Sequence, residues 1–189
     1  MSQADQSFPW ETPPELWRGC KANVSSWQGS VALLYIAPKG SEPMVAVPQV
    51  RAFADRVLKG DRFFRESWSA VNLPDKAVSL IEEETLDLAA KELGIDRFAN
   101  QTRRNIVTRG VPLIELLGRE FTVGGVRMRG IRLFEPCGHL EKVSQLPGIF
   151  KALEHRSGLK AAILSDGLLR VGDPIVLVHA GQSAAAQTG

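Results

Sequence analysis

Cysteine is scarce in this chain of 189 residues, which holds only Cys20 and Cys137. Two thiols cannot supply the four thiolates of an all-cysteine zinc site or of an ordinary iron–sulfur cluster. A disulfide between them is not expected in a reducing compartment, and a free cysteine is by default a small buried hydrophobe. Histidine is nearly as rare, with three copies. His139 stands two residues after Cys137, a weak spacing for zinc, and His155 and His179 fall in no ligand pattern. Charge of one sign is lacking too, since the net charge is only +2. That removes the long-range basic field of a nucleic-acid binder, though not a local patch. Aromatic content is 7%. Few of these rings lie near the arginines, which further weighs against a stacking platform for RNA or DNA. The longest apolar runs, such as "VALLYIA", are too short to span a bilayer, and the first residues show no basic start followed by an apolar stretch. A cytoplasmic protein without a membrane partner is expected. Neither a phosphate-cradling GxxxxGK loop nor a Ser-His-Asp order occurs.

What is present is a series of short strand patterns separated by turn signals. "SVALLYIA" reads as a strand that stops at Pro38-Lys39-Gly40, and "AVSLI" as another. "VPQVRAFADRVLKG" admits a short helix or a loop. Ser79 followed by Glu82 resembles a capping box ahead of a helix over "EEETLDLAAKEL" that ends at Gly94. Leu86, Leu88, Ala89, Ala90 and Leu93 give that helix its apolar stripe. "RRNIVT" reads as a strand, "VPLIELLG" as a helical turn, and "EFTV" with "VRMRGIRLF" as a hairpin about Gly124-Gly125. A helix is expected after Pro147, ending near Gly158. "LKAAILSD", "LLRVGD" and "PIVLV" complete the strands. The pattern predicts an α+β fold, a mostly antiparallel β-barrel with a few peripheral helices. The expected organisation is an irregular Pro- and Trp-rich extension over 1–28, one barrel domain over 29–179, and a disordered tail over 180–189. Trp10, Trp17, Trp27 and Trp68 are read as packing groups or cleft walls, with packing favoured.

"VRMRGIRLF" carries a phase change. Val126 and Met128 alternate with Arg127 and Arg129, and past Gly130 the apolar residues are Ile131 and Leu133, with Arg132 between them. One extra residue at Gly130 restores a single apolar face, so a β-bulge is predicted there and all three arginines share the other face.

Arginines also gather at Arg103, Arg104 and Arg109. Such a cluster can hold a phosphate by forked hydrogen bonds, or it can be a solvated outer face. Asn105, beside the pair, can fix a ligand's polar edge or satisfy a buried backbone group. The Gly-Asp pairs ending in Asp61 and Asp173 are read as turn formers. Cys137 is the strongest single candidate. Pro136 fixes the backbone before it, Gly138 leaves room after it, and nearby arginines favour a thiolate, which is a soft metal ligand and a nucleophile.

"KGDRFF", "VSLIEEETL", "RRNIVTRG", "LLGREFTVGGV", "EPCGHLE" and "LRVGDPI" occur in an order and spacing that resembles a standalone MOSC-domain protein over about residues 29–178. The name refers to the C-terminal domain of molybdenum cofactor sulfurase. The resemblance implies a β-barrel with peripheral helices. It implies that Cys137 matches the cysteine that ligates molybdenum in the mitochondrial amidoxime-reducing component, where the pterin cofactor supplies two further sulfurs. It also implies that Arg103, Arg104 and Asn105 match the "R-x-N" region that holds the cofactor's phosphate end. The implied activity is reductive removal of oxygen from small N-hydroxylated compounds. The chain departs from the pattern in one respect: "GDRFFRESWSAVN" lacks the His-His and Gly-Gly that some members carry, so their pocket histidines have no counterpart here. No companion N-terminal barrel, flavin or iron–sulfur module is read in the sequence, so a reductase of this kind would take electrons from a separate protein. The alternative reading is a carrier, in which Cys137 bears a persulfide or hands on a metal–sulfur group without redox turnover.

Overall fold

A computed structural model describes residues 27–40, 42–64, 78–96 and 98–178. Ten strands form among these residues. They are β1 Gly29–Ile36, β2 Val45–Ala46, β3 Gln49–Ala52, β4 Val78–Glu82, β5 Ile106–Arg109, β6 Glu120–Val123, β7 Val126–Leu133, β8 Leu159–Ile163, β9 Gly167–Arg170 and β10 Pro174–Leu177. The helices are α1 Glu83–Leu93, α2 His139–Ser144 and α3 Ile149–Leu153, with 3₁₀ turns at Ala99–Gln101 and Leu113–Leu116. The strands pair in the order β10-β6-β7-β8-β4-β5-β1-β2, and β10 also pairs with β1. Seven strands therefore close into a barrel, with β2 outside the ring on β1. The fold is α+β and mostly β. All its pairings are antiparallel except β4 with β5, which run parallel, so the barrel is mixed. The readings of the 1–28 extension up to residue 26, the 180–189 tail, Cys20, Trp10, Trp17, Trp68 and His179 lie outside the described residues.

Alternation along the strands fills the barrel. Val31, Leu34, Leu80, Ile106, Phe121, Met128, Leu159, Ala161 and Ile175 meet inside it, nearly all fully buried. A second apolar layer lies on the outer face of β4 and β5, where Ile81 and Val107 pack under α1 and α3 with Leu86, Ala89, Phe98, Ile149 and Leu153. Because both faces of these two strands are covered, they read as continuous apolar runs. The hairpin at Gly124-Gly125 forms, and the bulge does too. Gly130 pairs with Ala161 and Arg132 with Lys160, so Ile131 is the extra residue. Arg127, Arg129 and Arg132 are all exposed.

Several local expectations are corrected. Residues 49–60 hold the strand β3, paired with β9, and turns rather than a helix. Val50 and Ala52 are buried while Gln49 and Arg51 are exposed, a period of two. Ser79 caps no helix. It lies inside β4, which runs directly into α1, and Glu82 occupies the N-cap in an extended conformation with no side-chain cap bond. Glu82 instead accepts from Thr85 Oγ1 at 3.1 Å and from the Leu113 N–H at 2.8 Å. α1 does end at Gly94, which adopts the left-handed conformation (φ 64°) and donates to Ala90 and Lys91 carbonyls. Leu88 is not part of its buried stripe, being 52% exposed. α3 is shorter than expected, and α2, directly after Cys137, has no forerunner in the sequence reading. Arg103 and Arg104 do not open β5, because Arg103 has a positive φ of 61° and turns the chain before the strand starts at Ile106.

Candidate functional site

The buried side chains of the strands pack the barrel interior, and the site lies against its wall. Leu80, Leu159 and Ala161 point into the barrel core, so their strand neighbours Ser79 and Lys160 face outward. Ser79 pairs with Lys160, and Lys160 with Arg132, giving a cross-strand row on the outer face. Beside this row the end of β7 leads to Phe134, Glu135, Pro136 and Cys137. Together with the residues before β5, the turn over 57–63 and α2, these segments enclose a cavity of about 200 Å³. Arg103, Arg104, Asn105 and Cys137, the four residues singled out in the sequence, all line it. So do Asp61, Arg62, Ser79, Phe134, His139 and Lys160.

Adjacent in sequence, Arg103 and Arg104 diverge in space. Arg104 is 3% exposed. Its guanidinium donates to the Ser157 carbonyl (Nε, 2.8 Å), the Thr102 carbonyl (Nη1, 2.8 Å), the Phe134 carbonyl (Nη2, 3.3 Å) and the Ser157 hydroxyl. Four of its five donors are thus committed to the protein. Its Cζ lies 3.8 Å from the centroid of the Phe134 ring. Its pKa is lowered to about 9, chiefly by burial and further by Arg132, against the opposing pull of Cys137 and Glu135. It remains a cation at neutral pH.

Phe134 gathers charge. Lys160 Nζ lies 4.3 Å from the ring centroid and Arg132 Cζ 5.7 Å, so three cations surround one aromatic ring. Lys160 is 6% exposed and Cys137 is exposed at the rim.

Arg103 points the other way. It is half-buried and donates from Nη1 to the Glu42 carbonyl at 2.9 Å. Its Nη2 is buried and has no hydrogen-bond partner among the described residues. Burial lowers its pKa, Arg62 lowers it further, and Asp61 opposes both. Asp61 is itself buried and accepts from the Ala37 N–H (3.1 Å), the Phe63 N–H (3.1 Å) and Asn105 Nδ2 (3.2 Å). Asn105 Oδ1 accepts from the Ser79 N–H (3.2 Å) and hydroxyl (2.9 Å), and Nδ2 also donates to the Tyr35 carbonyl at 3.3 Å. Its amide therefore ties β4, β1 and Asp61 together, and Asp61 is more than a turn former.

The remaining candidates lie elsewhere. Arg127 and Arg129 both pair with Glu120 at 2.6 Å on the outer surface, and Arg109 pairs with Glu83 at 2.5 Å. His155 is exposed and sits 3.7 Å from Glu135. Trp27 packs against the barrel core and donates to Glu115 at 3.1 Å, as a packing group does. No cluster of three or more His, Cys, Asp or Glu able to hold a metal occurs among the described residues. A metal at Cys137 would take its other ligands from a cofactor. Sequence reasoning missed Lys160, Phe134 and Ser157. The one signal for Lys160 was a single charge inside the apolar strand "LKAAI".

Among the described residues no helix is long and apolar enough to cross a membrane. Among curated proteins none matches the chain. Solved structures resemble it at low identity. YuaD from Bacillus subtilis superposes with a TM-score of 0.66 at 17% identity, covering 80% of this chain and 97% of that one. YiiM from Geobacillus stearothermophilus gives 0.62 at 17% identity, covering 82% and 77%. YiiM from Escherichia coli gives 0.57 at 17% identity, covering 81% and 71%. These likenesses speak to the fold. The sequence profile of the MOSC domain matches residues 53–176, a span that takes in the barrel wall, Arg103, Arg104, Asn105 and Cys137, and the chain belongs to the MOSC-domain family.

Proposed function

We propose that this protein binds a molybdenum–pterin cofactor through Cys137 and a cationic pocket, and reduces N-hydroxylated small molecules with electrons from a separate donor protein. The observation that carries the reading is the shared cavity, which sets an exposed thiol beside a fully buried guanidinium and a second arginine with an unmatched buried N–H. An orphaned buried donor costs about 1–3 kcal/mol and is relieved by an anion such as a phosphate. Arg103 would receive the phosphate, with Arg62 at the same end of the cavity. Arg104, whose donors are largely spent, would contribute positive potential. Asn105 would hold Asp61, and through it the turn that carries Arg62, in place. At about 200 Å³ the cavity is smaller than sites for drug-sized ligands, which run from about 300 Å³ upward. It suits the phosphate end of a cofactor whose remainder lies across the open rim, where Cys137 and His139 are exposed. When bound, molybdenum would supply the two-electron exchange. The balance is R₂N–OH + 2e⁻ + 2H⁺ → R₂NH + H₂O.

The test is moles of molybdenum per mole of protein from a host that makes the cofactor. Near-stoichiometric metal in the wild type, lost in Cys137→Ala with an unchanged melting temperature, supports the reading. Absence of metal from the wild type overturns it. The exposure of Cys137 also suits the carrier reading, in which the thiol bears a persulfide. Mass spectrometry after incubation with a cysteine desulfurase and cysteine would then show one added sulfur on Cys137, and its absence would sink that alternative.

A further inference from the structure

We infer that Glu135 and Glu141 are positioning residues, which clasp the loop bearing Cys137 onto α3 from both sides and hold its thiol at the mouth of the cationic cavity. What this does for turnover rests on the proposed function; the clasp itself stands on geometry.

Only five residues separate the two carboxylates, and Cys137 is the second of them. Upstream, Glu135 Oε2 accepts the His155 N–H at 2.9 Å, just past the end of α3. Downstream, Glu141 Oε1 accepts the Gly148 N–H at 3.0 Å and the Phe150 N–H at 3.3 Å, at the start of α3. One short helix is thus gripped at both ends by side chains from the two flanks of one loop. That helix is well anchored. Ile149, Ala152 and Leu153 are buried in the apolar layer over β4 and β5. Arg156 ties its far end down, donating from Nε to the Ala152 carbonyl at 2.8 Å and from Nη2 to Glu92 of α1. Within the loop, Pro136 restricts the backbone, and the Leu140 N–H returns to the Cys137 carbonyl at 2.8 Å. Packing does not hold the loop at Gly138, where an added Cβ would meet nothing within 4 Å. Helix capping alone does not account for the pair. α3 has five residues, too few to gain much stability of its own. An anion beside a helix C-terminus also gains nothing from the dipole, so Glu135 is not placed there to serve α3. What both bonds share is the loop between them. They set the thiol on the wall of a cavity that Arg62, Arg103 and Arg104 also line, so the sulfur sits in a positive field.

The readout is the ratio of two alkylation rates at Cys137 in the apo protein, with iodoacetate and with iodoacetamide. The thiolate displaces iodide from both reagents, so the thiolate fraction cancels and the ratio reports the field where the sulfur sits. Peptide mass spectrometry separates Cys137 from Cys20. In the wild type at low salt the ratio should exceed that of N-acetylcysteine by about threefold, the effect of roughly one nearby cation. Each acid is replaced by Gln, which loses the charge but keeps an acceptor oxygen, and by Ala, which loses both. Glu135→Gln and Glu141→Gln should keep or exceed the wild-type ratio. Glu135→Ala and Glu141→Ala should fall at least about twofold below their Gln partners, because the freed loop lets the sulfur leave the field. Comparing Ala with Gln removes the effect of the lost charge itself. Circular dichroism and melting identify the folded variants. If Glu141→Ala does not fold, Glu135→Ala, whose bond is exposed, decides. Equal ratios in the folded Ala and Gln variants would make the acids mere caps and overturn the inference, as would a wild-type ratio equal to that of N-acetylcysteine. Molybdenum uptake keeps this apart from the proposed function. No metal in the wild type, with the expected ratios, fails the function and leaves the positioning role standing. Stoichiometric metal with equal ratios fails only this inference.

Discussion

Gly158→Ala is expected to be among the most damaging single-methyl additions in the chain, and it connects the fold to the site. Gly158 precedes β8 with φ 107°, a conformation in which a side chain is strained. A Cβ built there would lie 1.9 Å from the Leu80 carbonyl oxygen and 3.0 Å from its carbon. An ordinary carbon–oxygen contact is about 3.3 Å, so backbone must move by roughly 1.4 Å, and β4 is held between β8 and β5. Strain at such a φ costs about 1–3 kcal/mol. Forcing packed atoms apart costs about 1–3 kcal/mol more. A loss of about 4 kcal/mol, a large share of a typical 5–15 kcal/mol, is the expectation. Urea unfolding of Gly158→Ala beside Gly94→Ala is the assay. Gly94 also has positive φ, 64°, but an added Cβ meets nothing within 4 Å, so this variant should lose only about 1 kcal/mol. Equal losses in the two variants would refute the reasoning, since the clash and not the φ is what separates them. The Gly158 carbonyl also accepts the Phe134 N–H at 2.8 Å. A shift there moves the ring on which Arg104 and Lys160 rest, so molybdenum uptake should fall together with stability.

Asn105→Ala removes an amide with three protein partners at the cavity wall and should cost about 2–4 kcal/mol by leaving Ser79, Tyr35 and Asp61 groups unmatched, measured by denaturant unfolding. Glu120→Gln should cost under about 1 kcal/mol at neutral pH, because its arginine partners are half exposed and screened. The hydrogen bonds from Arg127 and Arg129 hold the Glu120 pKa below its ordinary value of 4.5. Its contribution is therefore complete above that pH and is lost as pH falls through the lower folded-state value, so melting curves of wild type and variant should converge in acid. Leu153→Ala, in a fully buried position under α1, should lose about 2–5 kcal/mol, whereas Leu88→Ala, at 52% exposure, should stay within about 0.5 kcal/mol.

The barrel was legible because its signals are local. Period-two alternation marked most of the strands, the Gly124-Gly125 pair marked the hairpin, and the change of phase in "VRMRGIRLF" required the bulge. Boundaries failed where tertiary contacts override local preference. Ser79 and Glu82 match a capping box in spacing. Yet Ser79 lies between β5 and β8, and its hydroxyl is engaged by Asn105, so the strand wins. "VRAFADRVLKG" has helix formers, but β9 offers β3 a full ladder. Of the site, Cys137 was visible as a lone thiol at a loop, and the Arg-Arg-Asn run as clustered polar residues, read as the opening of a strand. Lys160 and Phe134 were not, because a charge within a strand and an aromatic after it look like ordinary packing until the cross-strand register is known. Nor does sequence distance show that Arg103 and Arg104 part company. That depends on one residue with positive φ.

The bulge gives the sheet's irregularity a chemical use. Were Ile131 paired in regular register instead of bulged, the alternation from Val126 and Met128 would carry Arg132 to the barrel's inner side and Phe134 with it. With the bulge, Arg132 joins Lys160 in register, and Phe134, two residues on, follows to the same side. The parallel pairing of β4 with β5 does similar work from the other direction. It sets the starts of both strands at one end, where the Asn105 N–H reaches the Ser79 carbonyl at 3.0 Å. In an antiparallel pair, the residues preceding β5 would lie at the far end of β4. One extra residue and one parallel ladder thus deliver the three cations, the ring and the thiol-bearing loop to the same stretch of barrel wall. Deleting Ile131, the extra residue itself, should leave Arg132 beside Lys160 and Phe134 on the cavity side in a variant that retains a barrel, so molybdenum uptake should survive, and loss of uptake in a folded deletion variant would refute this account of the bulge.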